Sequence, residues 1–224
     1  MNRRSLFANF MSDNPVEAKP SFKPHPASKG AKRFTNALLR THEDKEVRFY
    51  DDLIKGRQAI INMMYANCEG ACPLVTSTMV KIHKHYKDRM GKDLFMYSIT
   101  LKPEQDDSAA LKKFAEMHGA ANLPGWTFLT GDPFDIETIR FKLFRTNHIH
   151  YDLDLDFHAS KLRIVNDAHN LYTHANPYAS MFTILQHISW ADPPKSYEER
   201  LKEYNETQKR IDKEVKEYGY RRTT

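Results

Sequence analysis

The stretch that decides the fold is Ala59-Ile60-Ile61-Asn62-Met63-Met64-Tyr65-Ala66-Asn67-Cys68-Glu69-Gly70-Ala71-Cys72-Pro73. Its first seven residues are almost continuously apolar, which is typical of a strand buried on both faces of a sheet. Beyond it, Val75, Met79, Ile82 and Tyr86 recur at spacings of four, three and four, which places them on one face of a helix. Pro73 stands where such a helix begins, at a position that tolerates a missing N–H. The stretch therefore predicts a buried strand, a short loop and a helix.

The same alternation of strand and helix signals continues through the chain. Further strands are predicted at 34–39, 47–50, 94–101 and 126–129, and a hairpin at 161–165 and 171–174 around Asn166-Asp167-Ala168. Helices are predicted around Asp51–Lys55, from a cap at Ser108 to Gly119, around 136–143 and around 181–188. Alternating strands and helices predict an α/β fold with helices covering a mostly parallel sheet, to which the late hairpin adds antiparallel strands.

Composition divides the chain into three parts. Residues 1–33 contain four prolines and seven Lys or Arg against two acidic residues, which accounts for the whole net charge of +5 and predicts a disordered basic tail. Residues 34–192 are predicted to form the folded domain. Residues 193–224 follow Pro193-Pro194 and carry an apolar stripe near heptad spacing, so we expect an amphipathic helix that packs on the domain or on a partner.

The charge pattern and hydropathy limit the functional classes. Residues 34–224 are balanced in charge, so no basic groove for nucleic acid is predicted. No run of about 18 apolar residues occurs, so no spanning helix is expected. Arg3-Arg4 is similar to the twin-arginine part of an export signal, but the apolar region that should follow is missing.

The two cysteines, Cys68 and Cys72, are the residues with the clearest chemistry. A disulfide between cysteines only four positions apart would close a very short loop and stabilise the fold very little, so a chemical role is favoured over a structural one. Both precede or open the predicted helix, whose N-terminal dipole favours a thiolate. Gly70 is expected to let the loop turn tightly. Two thiolates there suit Cu(I), or can close into a disulfide.

The order of these motifs resembles the Sco/SenC family of copper proteins. The likeness runs from about Phe34 to Trp190 and includes Cys68-x-x-x-Cys72-Pro73, the segment 96–106 and Gly125-Trp126-Thr127-Phe128-Leu129-Thr130-Gly131. The segment 96–106 is similar to the family's strand that ends in V-D-P-E-R-D. The resemblance implies a thioredoxin-like three-layer fold with a mixed central sheet, and copper bound by the two cysteines and a histidine.

The resemblance places the third copper ligand at His158. The family usually has an aspartate directly before this histidine, whereas here Phe157 intervenes and Asp156 lies one position further away. His174 is the second candidate, while His148, His150 and His169 lie in the same third of the chain. The helical spacing predicts that His83 and His85 face solvent, away from the sulfurs.

Two functions follow as hypotheses from the thiols and the resemblance. The first is a copper metallochaperone that delivers copper to a respiratory oxidase subunit, typically its dinuclear centre, or to another copper protein. The second is a metal-free thiol–disulfide oxidoreductase that acts on a partner's copper-ligand cysteines. A peroxide-reducing enzyme is a weaker third reading, because no Thr-x-x-Cys signature is present. The family works outside the cytoplasm, which favours a periplasmic or other extracytoplasmic location, although no anchor is recognisable.

Overall fold

The apolar run forms an interior strand of a mixed seven-stranded sheet. The structure is a computed structural model that describes residues 33–68, 70–144 and 161–218. Its strands are β1 (Leu38–Thr41), β2 (Glu46–Arg48), β3 (Gln58–Met64), β4 (Leu94–Thr100), β5 (Trp126–Gly131), β6 (Leu162–Asn166) and β7 (Leu171–Ala175). Its helices are α1 (Ala71–His85), α2 (Ser108–Met117), α3 (Pro133–Phe144), α4 (Met181–Ser189) and α5 (Tyr197–Tyr218). A π-helical segment, Phe49–Ile54, follows β2.

The sheet has the order β2-β1-β5-β4-β3-β6-β7. Strands β3, β4 and β5 are parallel, while β1 pairs antiparallel with β5 and β6 pairs antiparallel with β3. The edge strands β2 and β7 are also antiparallel to their neighbours. The predicted α/β fold and its late hairpin are confirmed. Two of the six strand pairings among the described residues are parallel, so the sheet is mixed, as the family resemblance implies, and not mostly parallel as the order of elements predicts. Because the three central strands are parallel, the loops that follow them lie along one edge of the sheet, which we call the carboxyl edge.

Apolar side chains bury both faces of this sheet. In β3 all seven residues are buried, and alternate side chains enter different cores. Ile60 and Met64 pack with residues of α1, α2 and α4 on one face. Ile61 and Met63 pack with residues of the π-helical segment and α3 on the other face. The result is the expected three-layer arrangement of helices, sheet and helices.

A chain of polar side chains runs through the middle of this apolar sheet. The Trp126 indole N–H donates to Ser98 Oγ at 3.0 Å, and Ser98 Oγ donates to Asn62 Oδ1 at 2.7 Å. Asn62 and Ser98 are also aligned partners in the pairing of β3 with β4. Each of the three central strands therefore contributes one member to a buried hydrogen-bonded chain, as buried polar groups require.

The first hairpin departs from the sequence prediction. A strand was expected at 47–50 and a helical turn at 51–55, but β2 ends at Arg48 and the π-helical segment takes Phe49–Ile54. The Asp52 carboxylate accepts a hydrogen bond from the Arg48 N–H at 2.6 Å, which ties the end of β2 to the π-helical segment. The expected strand at 34–39 begins instead at Leu38, and Phe34 packs its ring against Phe49 with centroids 6.2 Å apart.

Two further local predictions were wrong. The cap of α2 is Asp107 rather than Ser108, because the Asp107 carboxylate accepts from the Ala110 N–H at 2.8 Å. His83 does not face solvent: it is buried, and its Nε2 lies 2.9 Å from the Pro124 carbonyl oxygen. Its neighbour His85 is exposed, as predicted.

The chain divides into two compact units between Ala191 and Asp192. The second unit contains α5, which begins with a capping box: Ser196 Oγ accepts from the Glu199 N–H, and Glu199 Oε2 accepts from the Ser196 N–H. Tyr197, Leu201 and Tyr204 on this helix are exposed. Among the helices of the described residues, none is both long enough and apolar enough to cross a bilayer.

Candidate functional site

The two cysteines lie where β3 passes into α1, at the carboxyl edge of the sheet. Cys68 belongs to the loop, and Cys72 is the second residue of α1, whose N-cap is Gly70. Both side chains are buried, Cys68 with 7% of its surface exposed and Cys72 with none. The predicted placement, one thiol in the loop and one in the first helical turn, is observed.

The structure brings the two cysteines into direct contact. The backbone N–H of Cys72 donates to Cys68 Sγ at 3.4 Å, and neither residue takes part in a disulfide. The start of α1 therefore directs a helical N–H at the Cys68 sulfur. Such a donor stabilises a sulfur that carries negative charge.

The surroundings of Cys68 favour its thiolate form. Burial raises the pKa of the Cys68 thiol, but hydrogen bonds from the Cys72 thiol, the Cys72 N–H, the Tyr65 hydroxyl and the Gly70 N–H together outweigh burial. The pKa of Cys68 consequently lies below its ordinary value. Because the thiolate is both the nucleophile and the metal-binding form, the lowered pKa favours reaction at Cys68, which is also the more exposed of the two cysteine residues.

Tyr65 connects Cys68 to the neighbouring loop. Its hydroxyl is one of the hydrogen-bond donors to Cys68, and the Lys102 ammonium lies 4.1 Å from the centroid of its ring. The positive charge of Lys102 is thus held against the aromatic ring that bonds the sulfur. Lys102 stands where the V-D-P-E-R-D pattern has an aspartate, so this part of the site differs in charge from the pattern.

A buried carboxylate fixes the loop that carries Cys68. Asp106, with 1% of its surface exposed, accepts from the Ala66 N–H at 2.9 Å and from the Thr100 hydroxyl at 2.5 Å through the same oxygen. The Thr100 oxygen in turn accepts from the Lys102 N–H at 2.9 Å. The loop after β4 therefore holds the loop after β3 two residues before the first thiol.

Neither Tyr65 nor Asp106 is assigned a role by the sequence pattern. In the sequence, Tyr65 is the last member of an apolar run, and Asp106 matches only the final letter of the family pattern. The available signal was their position, because both follow parallel strands at the carboxyl edge, where loops meet.

Gly70 is less constrained than the sequence prediction assumed. Its φ of −104° is outside the left-handed region, and a Cβ added there would meet no atom within 4 Å. Gly125, in the Gly-Trp motif, is different: it has a φ of +73°, and an added Cβ would lie 2.3 Å from the Gly91 nitrogen. The backbone therefore requires glycine at Gly125, where the chain passes close to Gly91, and not at Gly70 between the cysteines.

The histidine candidates are distributed unevenly. His158, together with Asp156, Phe157, His148 and His150, lies outside the described residues. His174 is exposed on the edge strand β7, and its backbone carbonyl accepts a hydrogen bond from His187 Nδ1 at 2.5 Å. In residues 33–68, 70–144 and 161–218, no group of three or more His, Cys, Asp or Glu side chains could hold a metal ion. His174 is therefore not brought together with the two thiols, and the prediction of His158 as third ligand stays untested.

The comparisons with known proteins agree on one family. The model of the SCO1/SenC family matches residues 30–191. The SCO1 protein homolog of Bacillus subtilis (strain 168) is 34% identical over 97 residues, which are 41% of this chain and 47% of that protein. The match thus spans about half the length of that relative.

Solved structures share the fold. BsSco, a member of the Sco family of cytochrome c oxidase assembly proteins in which a disulfide switch was identified, covers 72% of this chain and 95% of its own at 24% identity and a TM-score of 0.57. Yeast Sco1 with copper bound covers 68% of this chain and 90% of its own at 19% identity and a TM-score of 0.52. These likenesses confirm the predicted thioredoxin-like architecture.

Proposed function

Because the chain belongs to the SCO1/SenC family, we propose that it binds copper through Cys68, Cys72 and His158 and serves the assembly of a respiratory copper oxidase. The observation that carries the proposal is the contact between the cysteines, in which the Cys72 N–H bonds Cys68 Sγ at 3.4 Å at the start of α1. Copper is the cargo in this proposal, and the dinuclear centre of the oxidase is its destination.

The donor set suits copper better than other metals. Thiolates are soft ligands that select Cu(I), and imidazole binds copper in either oxidation state. Structural zinc sites are normally closed by four protein ligands, which is one more than the proposed set of two cysteines and one histidine supplies. The copper found in the crystal structure of yeast Sco1, which has this fold, supports the same choice of metal.

The residues around the thiols would prepare the site for its cargo. Each thiol must lose its proton when a metal binds. A lowered Cys68 pKa therefore reduces the free energy needed to deprotonate that thiol at neutral pH. Asp106 accepts from the Ala66 N–H and thereby fixes the part of the loop that positions Cys68. The burial of Cys72 restricts access for large oxidants and leaves Cys68 as the side from which a recipient approaches.

A Cu(I) competition titration of the reduced full chain tests the ligand set. Cys68→Ser, Cys72→Ser and His158→Ala should each weaken Cu(I) binding by at least about tenfold, since each removes a ligand. The matched controls are His150→Ala and His174→Ala, which remove imidazoles from the same third of the chain and should bind like the wild type. Unchanged binding by His158→Ala would remove that histidine from the site, and weakening by His174→Ala would put that histidine in its place.

The second function, metal-free thiol–disulfide exchange, is favoured by the contrast between the two sulfurs. Cys68 is more accessible and has a lowered pKa, as an attacking thiol requires, and Cys72 lies in contact as the resolving thiol. The Cys68 thiolate would attack a partner disulfide and form a mixed disulfide, releasing one partner thiolate. Cys72 would then attack Cys68, releasing the second partner thiolate, so that two electrons pass to the partner and a Cys68–Cys72 disulfide forms.

Mixed-disulfide trapping separates the two functions. With a copper-free protein and a disulfide-bonded peptide, Cys72→Ser should accumulate a mixed disulfide at Cys68, which mass spectrometry identifies. Cys68→Ser should trap far less, because Cys72 is fully buried. Tight copper binding without peptide reduction supports the chaperone, whereas peptide reduction without copper binding supports the oxidoreductase.

A further inference from the structure

The side chain of His42 completes the hydrogen bonding where the first hairpin joins the rest of the sheet. Strand β1 ends at Thr41, and the chain then turns back towards β2. One residue beyond β1, the His42 N–H still donates to the Phe128 carbonyl at 2.9 Å. In a regular antiparallel pair, the Phe128 N–H would donate in return to the His42 carbonyl. Here it donates to His42 Nδ1 at 3.3 Å, so the ring extends the ladder by one residue after the backbone has turned away.

This bond is one of a small number that attach the hairpin to β5. Strand β1 aligns with β5 at three residue pairs, between 39–41 and 129–131. The His42 ring also packs edge-to-face on the Phe128 ring, with centroids 5.6 Å apart. Only 7% of the surface of His42 is exposed, although the residue belongs to a turn that is polar in sequence. The ring therefore belongs to the seam between the hairpin and the core.

The bond from Phe128 requires a neutral ring. Its donor is a backbone N–H, which cannot act as an acceptor, so Nδ1 must present a lone pair and the ring proton lies on Nε2. A second proton, added to Nδ1, would set two donors against each other. Phe128 is fully buried, and a buried N–H that loses its acceptor costs free energy. Protonation of Nδ1 and the bond from the Phe128 N–H therefore exclude each other.

The surroundings of the ring also disfavour its protonation. Burial is the main reason that the pKa of His42 lies below its ordinary value. The charges of Glu43 and the carbonyl of Phe128 act to raise this pKa, but they do not outweigh burial. The ammonium groups of Lys112, on α2, and Lys45, in the turn, lower it further. The ring is consequently kept neutral near pH 7.

The groups that face His42 do not titrate together with it. Glu43 is exposed and pairs with Lys45 at 2.8 Å, and this contact lowers the pKa of Glu43, so its carboxylate stays ionised where His42 takes up a proton. The loop 121–127 forms a cavity of about 420 Å³ with the ring and contains no titratable side chain. A pH-dependent change at this seam thus has one source, the imidazole.

We propose that His42 is a proton-sensitive latch, which holds the β1–β2 hairpin on β5 while its ring is neutral and releases the end of the hairpin when Nδ1 takes a proton. The proton comes from solvent through the exposed part of the residue, and the bond that breaks is the one from the Phe128 N–H. The released part is the turn 42–45 with the adjoining ends of β1 and β2. Neither copper nor the thiols take part, so this inference goes beyond the proposed function.

The latch acts in a defined range of pH. Because the pKa of His42 is lower in the folded chain than its ordinary value of about 6.5, the unfolded or released form binds more protons below that pH. The stability that the neutral ring contributes is therefore complete above about pH 6.5 and is lost as the pH falls from there through the lowered pKa. One proton changes the opening equilibrium by at most about tenfold per pH unit.

A pH titration of the reduced, copper-free full chain by NMR tests the latch. Between about pH 7.5 and about pH 5, the His42 ring nitrogens and the Phe128 amide should change with one common midpoint. The hydrogen-exchange protection of the His42 and Phe128 amides, corrected for intrinsic exchange, should fall about tenfold. Protection in β3 should stay within about twofold.

Two results on the wild type would overturn the proposal. If the ring titrates while the Phe128 amide signal and its protection stay unchanged, the protonated ring is accommodated without release, for example by donating to the Phe128 carbonyl. If protection falls equally in the hairpin and in β3, acid destabilises the whole domain and the seam has no special role.

Matched variants assign the effect to the imidazole. His42→Asn places an amide oxygen near the position of Nδ1 and cannot take up a proton in this range, so the protection of the Phe128 amide should no longer depend on pH. His42→Ala has no acceptor and should show at about pH 7.5 the reduced protection that the wild type shows at about pH 5. The control, His85→Asn, changes an exposed histidine on α1 and should behave like the wild type. A His42→Asn variant that keeps the wild-type pH dependence would place the proton elsewhere and end the proposal; if that variant does not fold, the wild-type midpoints decide alone.

Discussion

The loop after β3 and the loop after β4 lie side by side at the carboxyl edge, but they have opposite properties. The loop after β3 carries Cys68. Two residues before this cysteine, the Ala66 N–H donates to Asp106 and so fixes the loop. The second has no reactive group, yet it supplies the buried carboxylate of Asp106 and the ammonium of Lys102. Reactivity and rigidity are thus divided between two loops. The cysteine motif by itself describes only half of the site.

The largest effect that the comparison predicts comes from removing the carboxylate. Asp106→Ala leaves the partly buried Ala66 N–H and the buried Thr100 hydroxyl without their acceptor, which should lower the free energy of unfolding by about 2–3 kcal/mol. Urea unfolding of the reduced chain measures it. The neighbouring Asp107→Ala is the control, because it removes an exposed helix cap worth about 1 kcal/mol. A loss no greater than that of the control would mean that Asp106 does not hold the loop.

A smaller effect, specific to the sulfur, is expected at Tyr65. Tyr65→Phe removes a hydroxyl that donates to Cys68, so the pKa of the Cys68 thiol should rise and its reaction with iodoacetamide should slow at neutral pH. The pH profile of Cys68 alkylation, read by mass spectrometry of its peptide, should shift to higher pH. Tyr204→Phe, on α5, should leave the profile unchanged. An unshifted profile for Tyr65→Phe would show that its hydroxyl does not act on the thiol.

Lys102 should act in the same direction but more weakly, because its charge reaches the sulfur through the Tyr65 ring. Lys102→Gln removes a cation–π contact worth roughly 0.5–1 kcal/mol and should slow alkylation of Cys68 less than Tyr65→Phe does. The exposed Lys113→Gln gives the same change in net charge and serves as the control. If Lys102→Gln and Lys113→Gln slow the alkylation of Cys68 equally, the effect comes from the net charge of the chain and not from the contact of Lys102 with Tyr65.

The smallest effect is expected in the cysteine loop itself. Gly70→Ala should change the free energy of unfolding by no more than about 0.5 kcal/mol, since the added methyl group meets no atom within 4 Å. Gly125→Ala is the contrasting variant, because its Cβ would lie 2.3 Å from the Gly91 nitrogen, and it should destabilise severely. Thermal unfolding of both variants checks the difference. A strongly destabilised Gly70→Ala would show that the loop needs glycine after all.

The sequence predicts what depends on repeated apolar positions. The runs at Ala59–Tyr65 and Leu94–Leu101 give buried strands to within one residue, because burial on both faces leaves little choice of residue type. The cysteine pair is predicted because its spacing and place before a helix are local. The fold class follows from the order of these elements.

What the sequence did not predict depends on contacts between distant residues. Asp106 meets Ala66 across 40 positions, and His83 is buried because it meets Pro124 across 41. At the start of the π-helical segment, the Arg48 N–H donates to the Asp52 carboxylate, which is another contact that no apolar pattern reports. No periodicity in the sequence reports such pairings. The third copper ligand, His158, is a prediction outside the described residues.

The buried chain from Asn62 through Ser98 to Trp126 has a consequence for folding fidelity. A one-residue slip between β3 and β4 would turn apolar side chains to the wrong face, but a slip of two residues would keep every face correct. Such an error would move Cys68 about 6.6 Å along the strand direction relative to Asp106. It would also separate Asn62 from Ser98 and leave buried polar groups without partners. The hydrogen-bonded triplet of Asn62, Ser98 and Trp126 thus favours the β3–β4 register that places Cys68 correctly relative to Asp106.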